Sequence, residues 1–291
     1  MIPFLHIWRL TVPTFGLMVA SAMVAAYFLL RADLARRGIA SKDSGFAEAL
    51  IAIPSLAGIV GAKLYHVFED PSFLFAHPGE LISQYGFAWF GGLIAGVAAF
   101  VWVARRRNVS LLQVLDAGSP AAALGYGIGR IGCLLSGDGD YGKPTSLPWG
   151  MSFPHGLVPT TQRVHPTPIY ELIVACLIAW ALWKIGGRQI HSLSVVREGK
   201  PPHSFRISPP QGSVFAAYLI FTGIARFLVE FIRINPRSFF GLSNAQAASL
   251  LSIALGLILW FRLSTGKPAS NSRAKPRSIQ QRSADRQPAN R

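Results

Sequence analysis

The sequence is poor in charge, in acid and in cysteine. Only 14% of its 291 residues are Asp, Glu, Lys or Arg, where soluble proteins carry about one-quarter. That shortfall argues against a soluble enzyme. A hydrophobic content of 51% and a mean hydropathy of +0.37 make lipid the solvent for much of the chain. The same apolarity excludes disorder over most of the length. Two cysteines exclude a disulfide framework, and no CxxC or Cys/His cluster offers a zinc site. No metal and no organic cofactor is expected. Acidic residues number 13 against 28 basic ones, a net charge of +15. That excess resembles a nucleic-acid signal until its position is considered, since much of it follows Leu263. No aromatic or motif pattern accompanies it, so nucleic-acid binding is not expected.

What is present is a series of apolar runs. A helical span needs about 20 such residues, and runs of that kind occur at 12–30, 47–67, 86–104, 117–135, 166–185, 212–232 and 242–261. They predict an all-α, polytopic integral membrane protein with about seven transmembrane helices. The fourth run is rich in Gly and Ala and contains Arg130, which suits a helix packed inside a bundle. Basic residues alternate between connections. Arg31, Arg36, Arg37 and Lys42 follow the first run, none lies between Glu69 and Tyr85, and Arg105, Arg106 and Arg107 follow the third. Lys184, Arg188, Arg197, Lys200 and Arg206 follow the fifth, and Lys and Arg recur in the tail. With positive loops inside, the N-terminus is periplasmic and the C-terminus cytoplasmic. A cleaved signal peptide is the competing reading, because Ala20-Ser21-Ala22 resembles a cleavage site. The charge bias across the first run favours a retained helix. Residues 1–263 then form the membrane domain, with a periplasmic loop at about 136–165. Residues 264–291 form a basic, disordered tail drawn to anionic inner-leaflet lipid.

Ionisable groups inside spans are expensive and often functional. The span directions bring Arg130, His165, Tyr170, Glu171, Arg226, Glu230 and Arg233 to the outer side, with Lys63 and His66 near it. Arg226 and Glu230 are four apart and share a helix face, and Arg233 is expected to continue that stripe. One reading is a structural ion pair between helices. The other is a cationic pocket for an anionic headgroup, which the bidentate, permanently charged guanidinium suits. Three arginines against two glutamates leave positive charge over. The segment from Gly129 to Pro144 is glycine-rich and leads into the outer loop. Its glycines allow close backbone approach or equally serve helix packing. The loop's Trp149, Met151, Phe153 and Leu157 predict a packed loop resting on the membrane. His165 precedes a helix start marked by proline and is either an interfacial residue or a catalytic one. Cys133 and Cys176 read as packing residues. An ion path would also place charges in spans, yet these do not line the whole thickness and no paired broken helices are evident.

Several motifs carry a resemblance. They are Phe15-Gly16-Leu17-Met18, Gly61-Ala62-Lys63-Leu64-Tyr65, Gly91-Gly92-Leu93-Ile94-Ala95-Gly96, the stretch from Gly129 to Lys143, and His165-Pro166-Thr167-Pro168-Ile169-Tyr170-Glu171. Arg226 to Arg233, and Gly241-Leu242-Ser243 with Gln246, complete the set. In this order they resemble the prolipoprotein diacylglyceryl transferase family of bacterial inner-membrane enzymes. The resemblance implies transfer of diacylglyceryl from phosphatidylglycerol to the lipobox cysteine of a preprolipoprotein signal peptide, with glycerol phosphate leaving. It implies Arg130, Arg226, His165 and Glu171 as catalytic residues. It implies Lys63, Gly91, Gly92, Gly129, Ser136, Gly137, Asp138, Gly142, Tyr170, Glu230 and Arg233 as substrate-binding ones. The chain departs from the family pattern at several of these places. Phe90 stands where His is usual before the glycine pair, Phe15 where Tyr is usual, and Lys63 where Arg is usual. Cys133 and Ser136 replace Asn, Asp138 replaces Glu in a loop one residue longer, and Pro168 replaces Gln. The departures leave two other readings open, a non-catalytic paralogue that binds phosphatidylglycerol or a lipoprotein, and a transferase with a different acceptor.

Overall fold

A computed structural model describes residues 1–39, 45–69, 79, 88–197, 209–237 and 240–265. Its helices are α1 (Thr14–Arg36), α2 (Phe46–Glu69), α3 (Trp89–Arg106), α4 (Leu111–Ser136), α5 (Thr167–Arg197), α6 (Ser213–Val229) and α7 (Asn244–Thr265). By length and composition four of them can cross a membrane, namely α1, α2, α5 and α7, and α6 is a shorter apolar helix. The helical, membrane-embedded class expected from the sequence therefore holds. The basic tail from residue 266 on, most of the connection after α2 and much of that after α5 lie outside the described residues.

Small residues set how closely the helices approach. A Cβ placed on Gly91 of α3 would lie 2.3 Å from the carbonyl oxygen of Gly61 on α2, so these two backbones touch. Between α6 and α7, a Cβ on Gly256 would meet the Ala216 carbonyl at 2.9 Å. In lipid, where apolar surface has no water to escape, such packing is a main source of helix association. The fourth helix is longer than the apolar run suggested, beginning at Leu111 rather than near 117, and it accommodates Pro120. Its C-terminal end stops at Gly137, which takes the left-handed conformation (φ 59°) and donates its N–H to the Cys133 carbonyl.

One end of the bundle is tied by buried polar groups on four helices. Asp116 of α4 is fully buried and accepts the N–H groups of Gly212 (2.7 Å) and Phe215 (2.9 Å), capping α6. Gln189 of α5 bridges Asp116 at 3.1 Å and Arg37, the residue that follows α1, at 2.8 Å. Asp33 receives both Arg36 and Arg37 at 2.7 Å.

Two additions to an all-helical reading appear at the opposite end. Strands β1 (Phe4–Ile7) and β2 (Leu10–Pro13) form an antiparallel hairpin before α1, so the first helix starts at Thr14 rather than residue 12. Strands β3 (Met151–Phe153) and β4 (Thr160–Val164) form a second hairpin within the connection between α4 and α5. Short strands of this kind lack enough periodicity to stand out beside apolar helices. The expected packed loop is present. Tyr141, Phe153 and Val164 form a small core with Met151, while Trp149 and Leu157 remain exposed.

Candidate active site

Helices α4, α5 and α6 deliver three charged side chains to one end of the bundle, the loop after α4 supplies a fourth, and the turn after α6 supplies Glu230 and Arg233. Arg130 lies one and a half turns before the end of α4, Glu171 in the first turns of α5, and Arg226 in the last turn of α6. Both guanidinium groups converge on the buried Glu171. Arg226 Nη1 donates to Oε1 at 2.8 Å, and Arg130 Nε lies 3.4 Å from Oε2. Tyr126, one turn before Arg130, also donates its hydroxyl to Oε1 at 2.6 Å. Its ring carries the Arg130 guanidinium 4.7 Å from the centroid, within cation–π range.

The stripe expected from Arg226 to Arg233 is interrupted. Helix α6 ends at Val229, and the chain turns through 230–233. Arg226 still meets Glu230, with Nη2 3.1 Å from Oε2. Arg233 returns by a different route, because its backbone pairs with Gly142 of the loop after α4. From there its guanidinium reaches Glu171 at 3.5 Å and is paired with Asp140. Asp140 takes Arg130 on its other oxygen. Burial raises the Asp140 carboxyl, but the hydrogen bonds and charges of Arg233 and Arg130 outweigh it and hold the group below the usual carboxylate range.

Asp140 therefore corrects the expected charge balance. Arg130, Arg226 and Arg233 face Glu171, Glu230 and Asp140, and the formal charges cancel. The hydrogen bonds do not balance as well: Glu230 Oε2 and Arg233 Nε are buried without an aligned partner. Side-chain exposure separates the arginines. Arg226 is 26% exposed and Arg130 16%, while Arg233 is 6%. The first two can be reached from outside, and Arg233 works from within.

The remaining residues divide by what surrounds them. His165 Nδ1 lies 3.3 Å from the Tyr170 hydroxyl, which also accepts the Trp149 indole N–H at 2.8 Å. Gly142 donates its N–H to the His165 carbonyl, and a Cβ there would meet the Ile232 carbonyl at 2.6 Å, so loop and α6 turn touch at that point. Gly137 is pressed against Gly156 in the same way. Ser136 is buried and donates to the Cys133 carbonyl, and Asp138 accepts the Asp140 N–H, shaping the turn that presents Asp140. Gly91 and Gly92 pack against Gly61 and Gly58 of α2, which accounts for both by helix contact. Gly129 differs, since nothing lies within 4 Å of a Cβ placed there. Lys63 is buried on α2, Phe90 is exposed, and Phe15 packs over Gly132. Donor atoms of Cys133, Asp138 and Asp140 lie within 4.8 Å of one another. With both Asp140 oxygens held by arginines and Arg130 3.7 Å from Cys133 Sγ, the local field disfavours a cation.

Comparison with known proteins adds the identity of the arrangement. The prolipoprotein diacylglyceryl transferase family model matches residues 3–262. The chain belongs to that family. Among its relatives, the phosphatidylglycerol–prolipoprotein diacylglyceryl transferase of Clostridium tetani is 32% identical over 88% of this chain and 94% of its own length. The proteins of the same name from Geobacter sulfurreducens and Bordetella avium are 31% and 32% identical, each over 88% of this chain and 92% of their own. Membership makes the chain a membrane transferase. Within a prolipoprotein diacylglyceryl transferase framework, Tyr126 and Asp140 are the two polar contributors that the sequence motifs do not single out. Tyr126 is accessible by its spacing of four from Arg130. Asp140 has only its place in a glycine-rich stretch to mark it.

Proposed function

We propose that the chain transfers the diacylglyceryl group of phosphatidylglycerol to a prolipoprotein, the donor and acceptor that the names of its relatives give for them, and that the accepting atom is the lipobox cysteine thiol. The observation that carries this reading is the convergence of two partly exposed guanidinium groups, Arg130 and Arg226, on one buried carboxylate. The acceptor sulfur attacks the glyceryl carbon, a carbon–sulfur bond forms, and the carbon–oxygen bond to phosphate breaks. The phosphodiester leaves as glycerol phosphate, its charge rising from one negative to two. Donors that face that phosphate hold it more tightly as the charge grows, which lowers the barrier rather than merely binding substrate. Glu171 and Asp140 orient the two arginines, and Glu230 and Arg233 brace them.

The thiol, with an ordinary pKa of about 8.5, passes its proton to solvent, and the partly exposed guanidinium groups of Arg130 and Arg226 favour the thiolate locally. His165 is suited to donate rather than accept. The indole N–H can only donate, so Tyr170 takes it, and the pattern that satisfies all three groups has Tyr170 donating to Nδ1. That leaves the imidazole proton on Nε2, free to be donated.

The chain sits in the bacterial inner membrane with seven spans, its N-terminus periplasmic. The arginine–carboxylate cluster then lies near the outer leaflet, and the Asp33–Arg37–Gln189–Asp116 tie near the cytoplasm, where α3 ends in Arg105 and Arg106 and is followed by Arg107. Residues 136–165 form the periplasmic loop, and the tail from 264 meets inner-leaflet lipid. The test is mass-shift detection of a lipobox peptide incubated with purified protein and phosphatidylglycerol. Transfer is expected. Phe90, in place of His, favours the competing view of a binding module, and a well-folded protein that binds the lipid but transfers nothing would establish it.

A further inference from the structure

Glu171 is 6% exposed, and its two oxygens are served unequally. Oε2 has Arg130 Nε at 3.4 Å and Arg233 Nη1 at 3.5 Å, both long contacts. Oε1 has the two short ones, Arg226 Nη1 at 2.8 Å and the Tyr126 hydroxyl at 2.6 Å. Among these donors the phenol alone is uncharged. Tyr126 sits four residues before Arg130 on α4 and carries that guanidinium 4.7 Å from its ring centroid. One side chain therefore touches Arg130 through its face and shares an acceptor atom with Arg226 through its hydroxyl. Close packing does not force it there, since Tyr126 is 43% exposed while its hydroxyl reaches a buried carboxylate.

We infer that Tyr126 is a positioning residue that lets Arg226 leave Glu171 for the departing phosphate. The inference rests on the proposed function and extends it. Both terminal nitrogens of Arg226 are committed, Nη1 to Glu171 and Nη2 to Glu230. To meet a phosphate whose charge is growing, Nη1 has to turn away from Oε1. A buried carboxylate oxygen abandoned in that way costs free energy that offsets the gain at phosphate. The Tyr126 hydroxyl stays on Oε1 and keeps that oxygen bonded, and the phenol retains its proton throughout. A cation in the same place would also serve Oε1, but its charge would hold the phosphodiester before reaction and so favour the substrate as much as the transition state. The ring meanwhile keeps Arg130 in place while Arg226 moves.

The test makes Tyr126→Phe, which keeps the ring, in two backgrounds. In the native background, transfer to a lipobox peptide is expected to lose about tenfold in kcat, the worth of one hydrogen bond to a charged group. KM for phosphatidylglycerol is expected to stay within about twofold of wild type. In an Arg226→Ala background the same substitution is expected to cost no more than about twofold, because no guanidinium is left to release. A merely structural hydroxyl would cost the same in both, so equal losses, or an unaltered kcat in Tyr126→Phe, overturn the inference. Glycerol phosphate reports on the same step without turnover. Its dianion draws Arg226 as the leaving group does, so its Kd, read by thermal shift in detergent, is expected to rise about tenfold in Tyr126→Phe. An equal Kd overturns the inference. If wild-type protein transfers nothing while the Kd rises in the variant, the transferase reading fails and the positioning role stands. If it transfers and the variant matches it, the reading stands and the positioning role falls.

Discussion

Replacing Arg226 distinguishes a phosphate clamp from a structural ion pair. Its two terminal nitrogens serve different carboxylates, Nη1 to Glu171 at 2.8 Å and Nη2 to Glu230 at 3.1 Å. An ammonium group is a single point and cannot occupy both positions. Arg226→Ala removes a donor from the growing phosphate charge, and the loss of one such donor costs about 10²–10³ in rate. Arg226→Lys keeps the charge but forfeits about one charge-assisted hydrogen bond. At about 1.5–3 kcal/mol, that is roughly a tenfold to hundredfold loss. The assay is single-turnover transfer to a lipobox peptide followed by mass spectrometry, so that product release does not mask the chemical step.

Stability has to be measured alongside, because removing one partner of a buried pair costs about 3–5 kcal/mol. Glu230 is 3% exposed and keeps Asn235 at 2.6 Å when Arg226 is gone. A cycle of Arg226→Ala, Glu230→Ala and the double variant separates the two effects. A clamp predicts that the double variant regains part of its thermal stability in detergent while transfer stays lost. Recovery of both, or wild-type transfer in Arg226→Lys, would refute the clamp.

Other parts of the cluster make separate predictions. Asp140, held below its usual range by Arg233 and Arg130, stabilises the fold above the unfolded carboxyl pKa of about 3.9, and that contribution is lost as pH falls through the folded value. Wild-type protein should therefore melt earlier on acidification below about pH 4, while Asp140→Asn melts earlier at neutral pH and shows a flatter acid limb; equal pH profiles would count against the pairing. His165→Gln should reduce kcat without moving the acidic limb of the pH–rate curve, and a shifted limb would make His165 the base. Gly91→Val should destabilise by about 1–3 kcal/mol or more, read as a lower melting temperature, because its Cβ would lie 2.3 Å from the Gly61 carbonyl oxygen. Gly129→Ala, with space around it, should melt as wild type does yet transfer more slowly, and unaltered transfer would remove Gly129 from the substrate path.

Much of this architecture is legible in the residues because membranes simplify the reading. Apolar runs mark helices, and basic connections give direction. Alternating span direction brings Arg130, Glu171 and Arg226 to one end of the bundle, where the structure joins them. What periodicity does not reach is irregular backbone. The early end of α6 at Val229 and the pairing of Gly142 with Arg233 follow from a turn and a loop, and neither leaves a 3.6-residue signature. The Ser243 and Gln246 of the last motif are an intermediate case. Their spacing is that of a capping box, and each bonds the other's backbone at the start of α7.

The loop changes the chemistry as well as the outline. Without Asp140 the cluster would carry net positive charge and would hold any phospholipid phosphate tightly in its ground state. With Asp140 the arginines are already paired, so a singly charged phosphodiester must compete with carboxylates for the same donors. The competition turns in favour of phosphate as the carbon–oxygen bond breaks and a second negative charge appears. Selectivity for the transition state over the substrate is then a consequence of the balanced cluster. Asp140→Asn offers a sign for that argument. It should tighten phosphatidylglycerol binding, seen as a lower KM, while lowering kcat, because the arginines lose both their competitor and their positioning. A raised KM together with an unaltered kcat would show that Asp140 assists substrate binding instead.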